Sequence, residues 1–429
     1  MAIDNKDKKV LKSSIEREQN ELACSAEREK IKGSKNLNVP HLRFPEFTKE
    51  WEMASLQDIA AVNPKSNPLQ NSFVYIDLEA VEKGELRKIQ EVMREEAPSR
   101  AQRVIYKNDI LFQCVRPYQK NNYIHKIQSK SNQQWVASTG YAQIRTTEIP
   151  NYIYHLLNTD GFNRKVMVRC TGSSYPAINS EDLATIRFYL TTDTKEQLKI
   201  SRLLDLLDER IATQNKIIDK LQSLIKGLND HILKNIEGDQ VCFADLGEAY
   251  GGLSGKSGDD FGCGDPFITY MNVYQNTYIS ENDYELVQIV PDEKQNSVQY
   301  GDALFTLSSE TPEEVGMGAV YLGKSQKLYL NSFCFGVHFH GNRVLPQYIA
   351  HFISSTSFRK AIYPLAQGST RFNLQKQDFM RMKFVLPSLE EQERIATALD
   401  ALHNHLANEK LLTEQYLLLK QFLLQQMFI

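Results

Sequence analysis

A chain of 429 residues is longer than one ordinary domain and suits two or three. Its 41% hydrophobic and 24% charged residues are those of a globular protein, and a formal charge of −3 excludes the overall basic footprint common among nucleic-acid binders. Six cysteines (Cys24, Cys114, Cys170, Cys242, Cys263 and Cys334) form no C-x-x-C pair and have no histidine at zinc-ligand spacing, so they read as reduced, buried thiols of a cytosolic protein. The opening Met1-Ala2-Ile3-Asp4-Asn5-Lys6-Asp7 lacks the apolar stretch of a signal peptide, and no uncharged run is long enough to span a bilayer. A cytoplasmic location without a membrane partner is expected.

Residues 1–41 are rich in Lys and Glu and poor in aromatics, and read as a polar tail or a marginal helix. The folded body starts where Leu42-Arg43-Phe44-Pro45-Glu46-Phe47 and Trp51 bring apolar side chains. From there to 193 short apolar runs such as Phe73–Ile76, punctuated by Gly and Asn, predict mixed α/β structure. Residues 194–237 predict a long helix opening on a capping box, Thr194-Lys195-Glu196-Gln197. Its apolar positions keep heptad spacing: Leu204, Leu207, Ile211, Ile218, Leu221, Ile225, Leu228 and Ile232, with Gln214 as the one polar member. A second mixed α/β stretch follows over 238–387. The last segment, 388–429, predicts another long helix from a capping box at Ser388-Leu389-Glu390-Glu391, with a stripe of Leu399, Leu402, Leu406, Leu412, Tyr416, Leu419, Leu423 and Met427 that Glu409 interrupts. Each helix is about 60 Å long at 1.5 Å per residue. A narrow apolar seam of that length needs a partner, and the other long helix is the economical one.

The two halves are copies. Thr171-Gly172-Ser173-Ser174 matches Gln367-Gly368-Ser369-Thr370, and Asp182, Phe188 and Leu190 match Asp378, Phe384 and Leu386, all 196 apart. Pro150-Asn151-Tyr152-Ile153 matches Pro346-Gln347-Tyr348-Ile349 at that offset. Asp109-Ile110-Leu111-Phe112 matches Asp302-Ala303-Leu304-Phe305 at 193, and Glu196-Gln197 and Leu204-Asp205 match Glu391-Gln392 and Leu399-Asp400 at 195. A drifting offset over a collinear series is the mark of a duplicated domain whose loops have changed length. The period is far above that of a solenoid repeat.

The opening Leu42–Phe47 with Glu50-Trp51-Glu52, the stretch Gly262-Cys263-Gly264-Asp265-Pro266-Phe267-Ile268-Thr269, and the junction Pro387-Ser388-Leu389-Glu390-Glu391-Gln392-Glu393-Arg394-Ile395 together resemble the specificity (S) subunits, HsdS, of Type I restriction-modification systems. The resemblance extends over Val39–Ile429, including the duplicated layout. It implies an α+β fold of two target-recognition domains, 42–193 and 238–387. Two long conserved helices, 194–237 and 388–429, separate them and pack as an antiparallel coiled coil. It further implies a non-catalytic subunit that reads a bipartite site on double-stranded DNA and docks two modification (methyltransferase) subunits, which restriction (motor/nuclease) subunits join. S-adenosylmethionine, ATP and Mg would then be held only by the partners, with no cofactor and no metal on this chain. Residues before Val39 lie outside the resemblance. The Asn63–Pro68 region and its glycine-rich counterpart Gly251–Gly258 differ, so the domains are expected to read different sequences.

The residues themselves supply no enzyme. Gly255-Lys256-Ser257 resembles the end of a phosphate-binding loop, but Tyr250 stands where the first glycine belongs and glycines follow where a helix should start. Asp265-Pro266-Phe267 lacks the second proline of an adenine methyltransferase motif, and Pro291-Asp292 has no acidic-x-Lys partner of a nuclease. A stand-alone methyltransferase or nuclease and a coiled-coil protein scaffold are the alternatives. For DNA contact, polar loops beside aromatics single out Arg116, Tyr118, Lys120, Asn121, Ser173, Ser174 and Tyr175 in the first copy, and Lys256, Ser308, Ser369, Thr370, Arg371 and Asn373 in the second, since Arg and Lys pair with guanine and Asn with adenine. Charge differs between copies. Residues 52–190 carry 17 Lys and Arg against 14 Asp and Glu, and residues 242–386 carry 11 against 15. The basic residues of the second copy cluster late, at Arg359, Lys360, Arg371, Lys376, Arg381 and Lys383, so partner subunits are expected to supply much of the phosphate grip.

Overall fold

The structure is a computed structural model that describes residues 38–127 and 133–429, so the expected polar tail falls outside it up to residue 37. The chain forms two compact units. One holds residues to Ile211 together with Gln415–Ile429, and the other holds Ala212–Glu414. Both boundaries fall inside long helices, as a seam-forming helix permits.

The first unit builds its core on an antiparallel sheet in the order Ala60–Val62, Tyr141–Thr146, Ile110–Gln113, Tyr123–Ile124. A second four-stranded sheet has the order Gln90–Met93, Ser72–Ile76, Gln134–Ser138, Ala101–Ile105, with its middle pair parallel. Helix α1, Pro150–Leu157, starts with proline at its first position, where no amide hydrogen is needed. It buries Tyr152, Ile153, Leu156 and Leu157 against the first sheet's core. Helix α2, Thr194–Lys234, leaves the domain.

The second unit repeats this plan with an antiparallel sheet of Gly247–Gly251, Cys334–Phe339, Ala303–Thr306 and Gly318–Val320. Helix α3, Pro346–Ile353, takes the place of α1 and again starts on proline. The short helices that follow both are capped alike. Thr159 Oγ1 accepts from Phe162 N at 3.1 Å and Ser355 Oγ from Phe358 N at 3.1 Å. Each domain is closed by a strand pair joining its first and last strands, Glu52–Ser55 with Arg187–Leu190 and Asp239–Cys242 with Lys383–Leu386. Helix α4, Leu389–Gln426, ends the chain.

The helices run antiparallel. In the first unit Asp208 of α2 meets Lys420 of α4, and Arg210 Nε donates to Tyr416 Oη at 3.3 Å. In the second unit Ile225 of α2 and Leu399, His403 and Leu406 of α4 line one cavity. Of the seam residues, Leu204, Ile211, Ile225, Leu399 and Leu423 are buried, and Leu207, Ile218, Leu221, Leu228, Leu402, Leu406 and Tyr416 are half-buried. Gln214 is buried with neither amide atom partnered. Leu419, expected in the stripe, is 44% exposed, because beyond Glu409 the buried face is kept by Thr413 and Leu423. The helix ends serve the domains. Leu423, Met427 and Phe428 complete the first core, while Leu228 and Ile232 pack on the second.

Two capping expectations need correction. Asp193, not Thr194, caps α2, its Oδ1 accepting from Lys195 N at 2.9 Å. Gln197 is turned away into the domain, and Glu196 is buried against Arg43, with Arg43 Nε to Glu196 Oε1 at 2.6 Å. At α4 Ser388 Oγ does accept from Glu391 N at 3.3 Å, but the Glu391 carboxylate goes to Arg394 rather than back to the cap.

Candidate DNA interface

Each domain carries the same small hairpin beside the end of its central strand. In the first, Thr171 and Ala177 exchange backbone hydrogen bonds at 2.9 Å, and Gly172 turns the chain at φ +89°. In the second, Gln367 pairs with Asn373, and Gly368 turns it at φ +138°, where a Cβ would lie 2.1 Å from the Arg371 carbonyl oxygen. Glycine is required there on both grounds. The strand-end loops pair with these hairpins: Val115 bridges Ala177, Arg116 N donates to Pro176 O at 2.8 Å, Ser308 pairs with Asn373 and Ser309 with Phe372. The fold thus unites stretches that stand some 55 to 65 residues apart in sequence.

In the first domain Ser173, Ser174 and Tyr175 form an exposed tip, and the Arg116 guanidinium lies 4.3 Å from the Tyr175 ring centre. Arg116 and Lys120 bracket the turn Pro117–Gln119 with φ of +55° and +52°. Gln113, buried, holds that turn. Its Oε1 accepts from Asn121 N at 3.1 Å and its Nε2 donates to Gln119 Oε1 at 3.0 Å. Tyr118 is exposed. Lys120 and Asn121 are occupied otherwise: Lys120 Nζ pairs with Asp160 and donates to Asn158 O at 3.1 Å, and Asn121 Oδ1 accepts from Lys83 N at 3.0 Å. They hold the loop, whereas Tyr118 and the tip are exposed and Arg116, half-buried, lies against the tip.

In the second domain Ser369, Thr370, Arg371 and Asn373 are exposed. Arg371 borders a cleft of about 370 Å³ with Tyr270, Met271, Tyr274, Ser308, Glu310, Glu314 and Phe333. Tyr270 Oη donates to Ser308 O at 2.7 Å, and its ring is stacked with Tyr274. These aromatics escaped the sequence reading, although Tyr270 directly follows the Gly262–Thr269 stretch that carries part of the family resemblance. Lys256 is not presented. Its side chain is 7% exposed, paired with Glu293 at 2.5 Å and donating to Gln288 O at 2.6 Å. Arg359 likewise leaves the late basic cluster, since its guanidinium donates to the carbonyls of Glu313, Val315 and Gly316. Among the described residues no cluster of His, Cys, Asp and Glu could hold a metal ion, and no helix is long and apolar enough to cross a membrane.

The sequence matches the family described as Type I restriction modification DNA specificity domain twice, over residues 48–223 and 255–415. The chain belongs to that family. It is a DNA-recognition subunit of a Type I restriction-modification system, with DNA and other subunits of such a system as partners. A comparison with curated proteins gave no match. Among solved structures, a chain from a study of complex assembly and conformational transition of the type I R-M system shares 20% identity, with 90% of this chain and 98% of that one covered and a TM-score of 0.58. The S subunit of a Type-I restriction-modification system from M. genitalium shares 12% identity over 91% of this chain and 99% of that one, with a TM-score of 0.55. At these identities the likeness is one of fold. The specificity subunit therefore has the two-domain, two-helix architecture of its family, and its own residues must account for what it reads.

Proposed function

We propose that each recognition domain reads one half of a split DNA target through its hairpin and strand-end loop, and that α2 and α4 set the distance between the halves. The observation that carries this reading is the hairpin built twice, at the same place, with different tips: Ser173-Ser174-Tyr175 beside Arg116, and Ser369-Thr370-Arg371 beside Ser308. A shared frame with unlike side chains is what two different half-sites call for. The chain itself catalyses nothing in this reading. Two modification subunits dock on the long helices, where Leu418 (60% exposed) and Phe422 (48% exposed) lie one turn apart on α4. Those subunits hold S-adenosylmethionine and methylate adenine. Restriction subunits, with ATP and Mg, complete a cytoplasmic complex.

The test is methyl transfer from labelled S-adenosylmethionine to DNA. The purified chain is expected to give none, and the chain with its modification subunits is expected to methylate a two-part motif, identified by methylation-aware sequencing. Transfer by the mass-verified chain alone would make it an enzyme. A complex that shows no sequence preference would leave it a protein scaffold.

A further inference from the structure

Two polar fastenings of each recognition domain to its long helix recur in the other copy. In the first unit Gln197 of α2, wholly buried, accepts from Ile149 N at 3.2 Å and donates to Thr191 O at 2.8 Å. Eight residues on, Asp205 Oδ1 lies 2.9 Å from Nε2 of His155, a buried residue of α1. In the second unit Gln392 of α4 accepts from Leu345 N at 2.8 Å and donates to Pro387 O at 2.9 Å. Again eight residues on, Asp400 Oδ1 lies 2.8 Å from Nε2 of His351 on α3. The surroundings have diverged. Asn151 and Lys126 complete the first aspartate's contacts, whereas Tyr278 Oη donates to the second at 2.6 Å. The Gln and His–Asp contacts are the polar ones that the two copies keep, beside the buried Ile200 and Leu204 of the first helix and Ile395 and Leu399 of the second.

Eight helical residues span about 12 Å. A rod held at one point can pivot; held at two points that far apart, its direction is fixed. Buried polar pairs are poor sources of stability compared with apolar packing. The hydrophobic driving force is non-directional, whereas a hydrogen bond is directional. We propose that His155–Asp205 and His351–Asp400, together with Gln197 and Gln392, are positioning residues. They set the angle at which each recognition domain rides on its helix and thereby confine the subunit to one spacing between half-sites. This rests on the reading of α2 and α4 as the element that sets that spacing.

The test uses the complete complex with its modification subunits, carrying His155→Leu, His351→Leu or both. Methylation is measured on a plasmid library in which the two native half-sites are separated by the native gap and by gaps one or two base pairs shorter or longer. The double variant is expected to raise methylation at neighbouring gaps relative to the native gap about tenfold, with both half-site sequences unchanged. A ratio that stays put, including an even fall across every gap, makes these contacts ordinary packing and overturns the proposal. Should the leucine variants fail to assemble, the isosteric Asp205→Asn and Asp400→Asn pair carries the test, with an expected rise of about threefold; no rise overturns it equally. A complex with four residues added to each long helix runs alongside. If its gap shifts while the ratios above do not, the fastening proposal alone fails. If its gap does not shift, the spacing reading itself fails.

Discussion

Arg116 and Lys120 hold left-handed backbone conformations, which cost side-chain-bearing residues on the order of 1–3 kcal/mol each. The buried Gln113 and the Asn122–Asn158 contact (3.1 Å) over-determine that loop, so Arg116 is offered in a fixed place rather than on a floppy arm. Replacing Arg116 or Arg371 with Ala should weaken specific binding by about 1–3 kcal/mol and relax the target at one position of the corresponding half-site, as read by competition binding on single-substitution DNA. Equal weakening on all sequences would mark phosphate contacts instead. His125 supplies a different prediction. It is buried beside Trp135 with Nδ1 unpartnered, and burial pushes its imidazole down to about 4 against the opposing pull of Asp109. The fold therefore favours the neutral ring, and the unfolded chain takes up the proton first. The stability this gives is present above the unfolded value near 6.5 and is lost as pH falls towards 4, about 2 kcal/mol of it between pH 7.5 and 5. Both tryptophans, Trp51 and Trp135, lie in the first unit, so urea unfolding followed by their fluorescence reports that unit. His125→Phe should flatten the pH dependence, and an unchanged slope would assign it to other groups.

At the scale of elements, the repeated sequence matches divide into those that build and those that present. Asp109 and Asp302, matched in the repeat, are both buried: the first takes Arg145 in a two-pronged contact, the second takes Tyr250 Oη at 2.7 Å and His338 Nδ1 at 2.7 Å. They tie strands together. The Gly-Ser-Ser and Gly-Ser-Thr matches are the exposed hairpins. Sequence spacing alone does not separate the two classes, because exposure depends on partners far along the chain. The heptad seam was legible, as apolar periodicity is a local signal. The caps were not, because Gln197 is captured by Ile149 and Thr191, a contact only the folded domain creates. Since α2 and α4 lie side by side, lengthening one alone would leave the other unmatched. Four residues added to each, beside Gln214 and beside Thr413, extend the pair by about 6 Å and nearly preserve the seam's phase. The gap between half-sites should grow by one or two base pairs, at about 3.4 Å each, with both half-site sequences intact. A two-residue addition should instead turn the seam outward and lower the yield of folded complex. The readout is the methylated motif in cells carrying the variant.

At the scale of the whole molecule, charge and duplication pull apart. With 11 basic against 15 acidic residues over 242–386, the second domain lacks a sequence-wide attraction to phosphate, and Lys256 and Arg359 are spent internally. The chain alone is therefore expected to bind its target weakly and with a shallow dependence on salt. The complex with modification subunits should show a steeper slope, because their basic residues release more counterions; titrations at several salt concentrations measure both. Equal slopes would place the whole phosphate grip on this subunit. The duplication, the two long helices, the apolar seam and the membership of a DNA-specificity family are legible along the chain, since each rests on periodicity or on the order of residues. Which polar residues face solvent is set by the folded chain. The fold turned Lys256 inward, tied Lys120 and Asn121 into their own loop, joined Arg116 to Tyr175, placed the aromatic cleft beside Arg371, and brought His155 to Asp205 and His351 to Asp400. Those pairings follow from where the chain returns on itself, and hydrogen bonds and burial there are set by neighbours that no local pattern names.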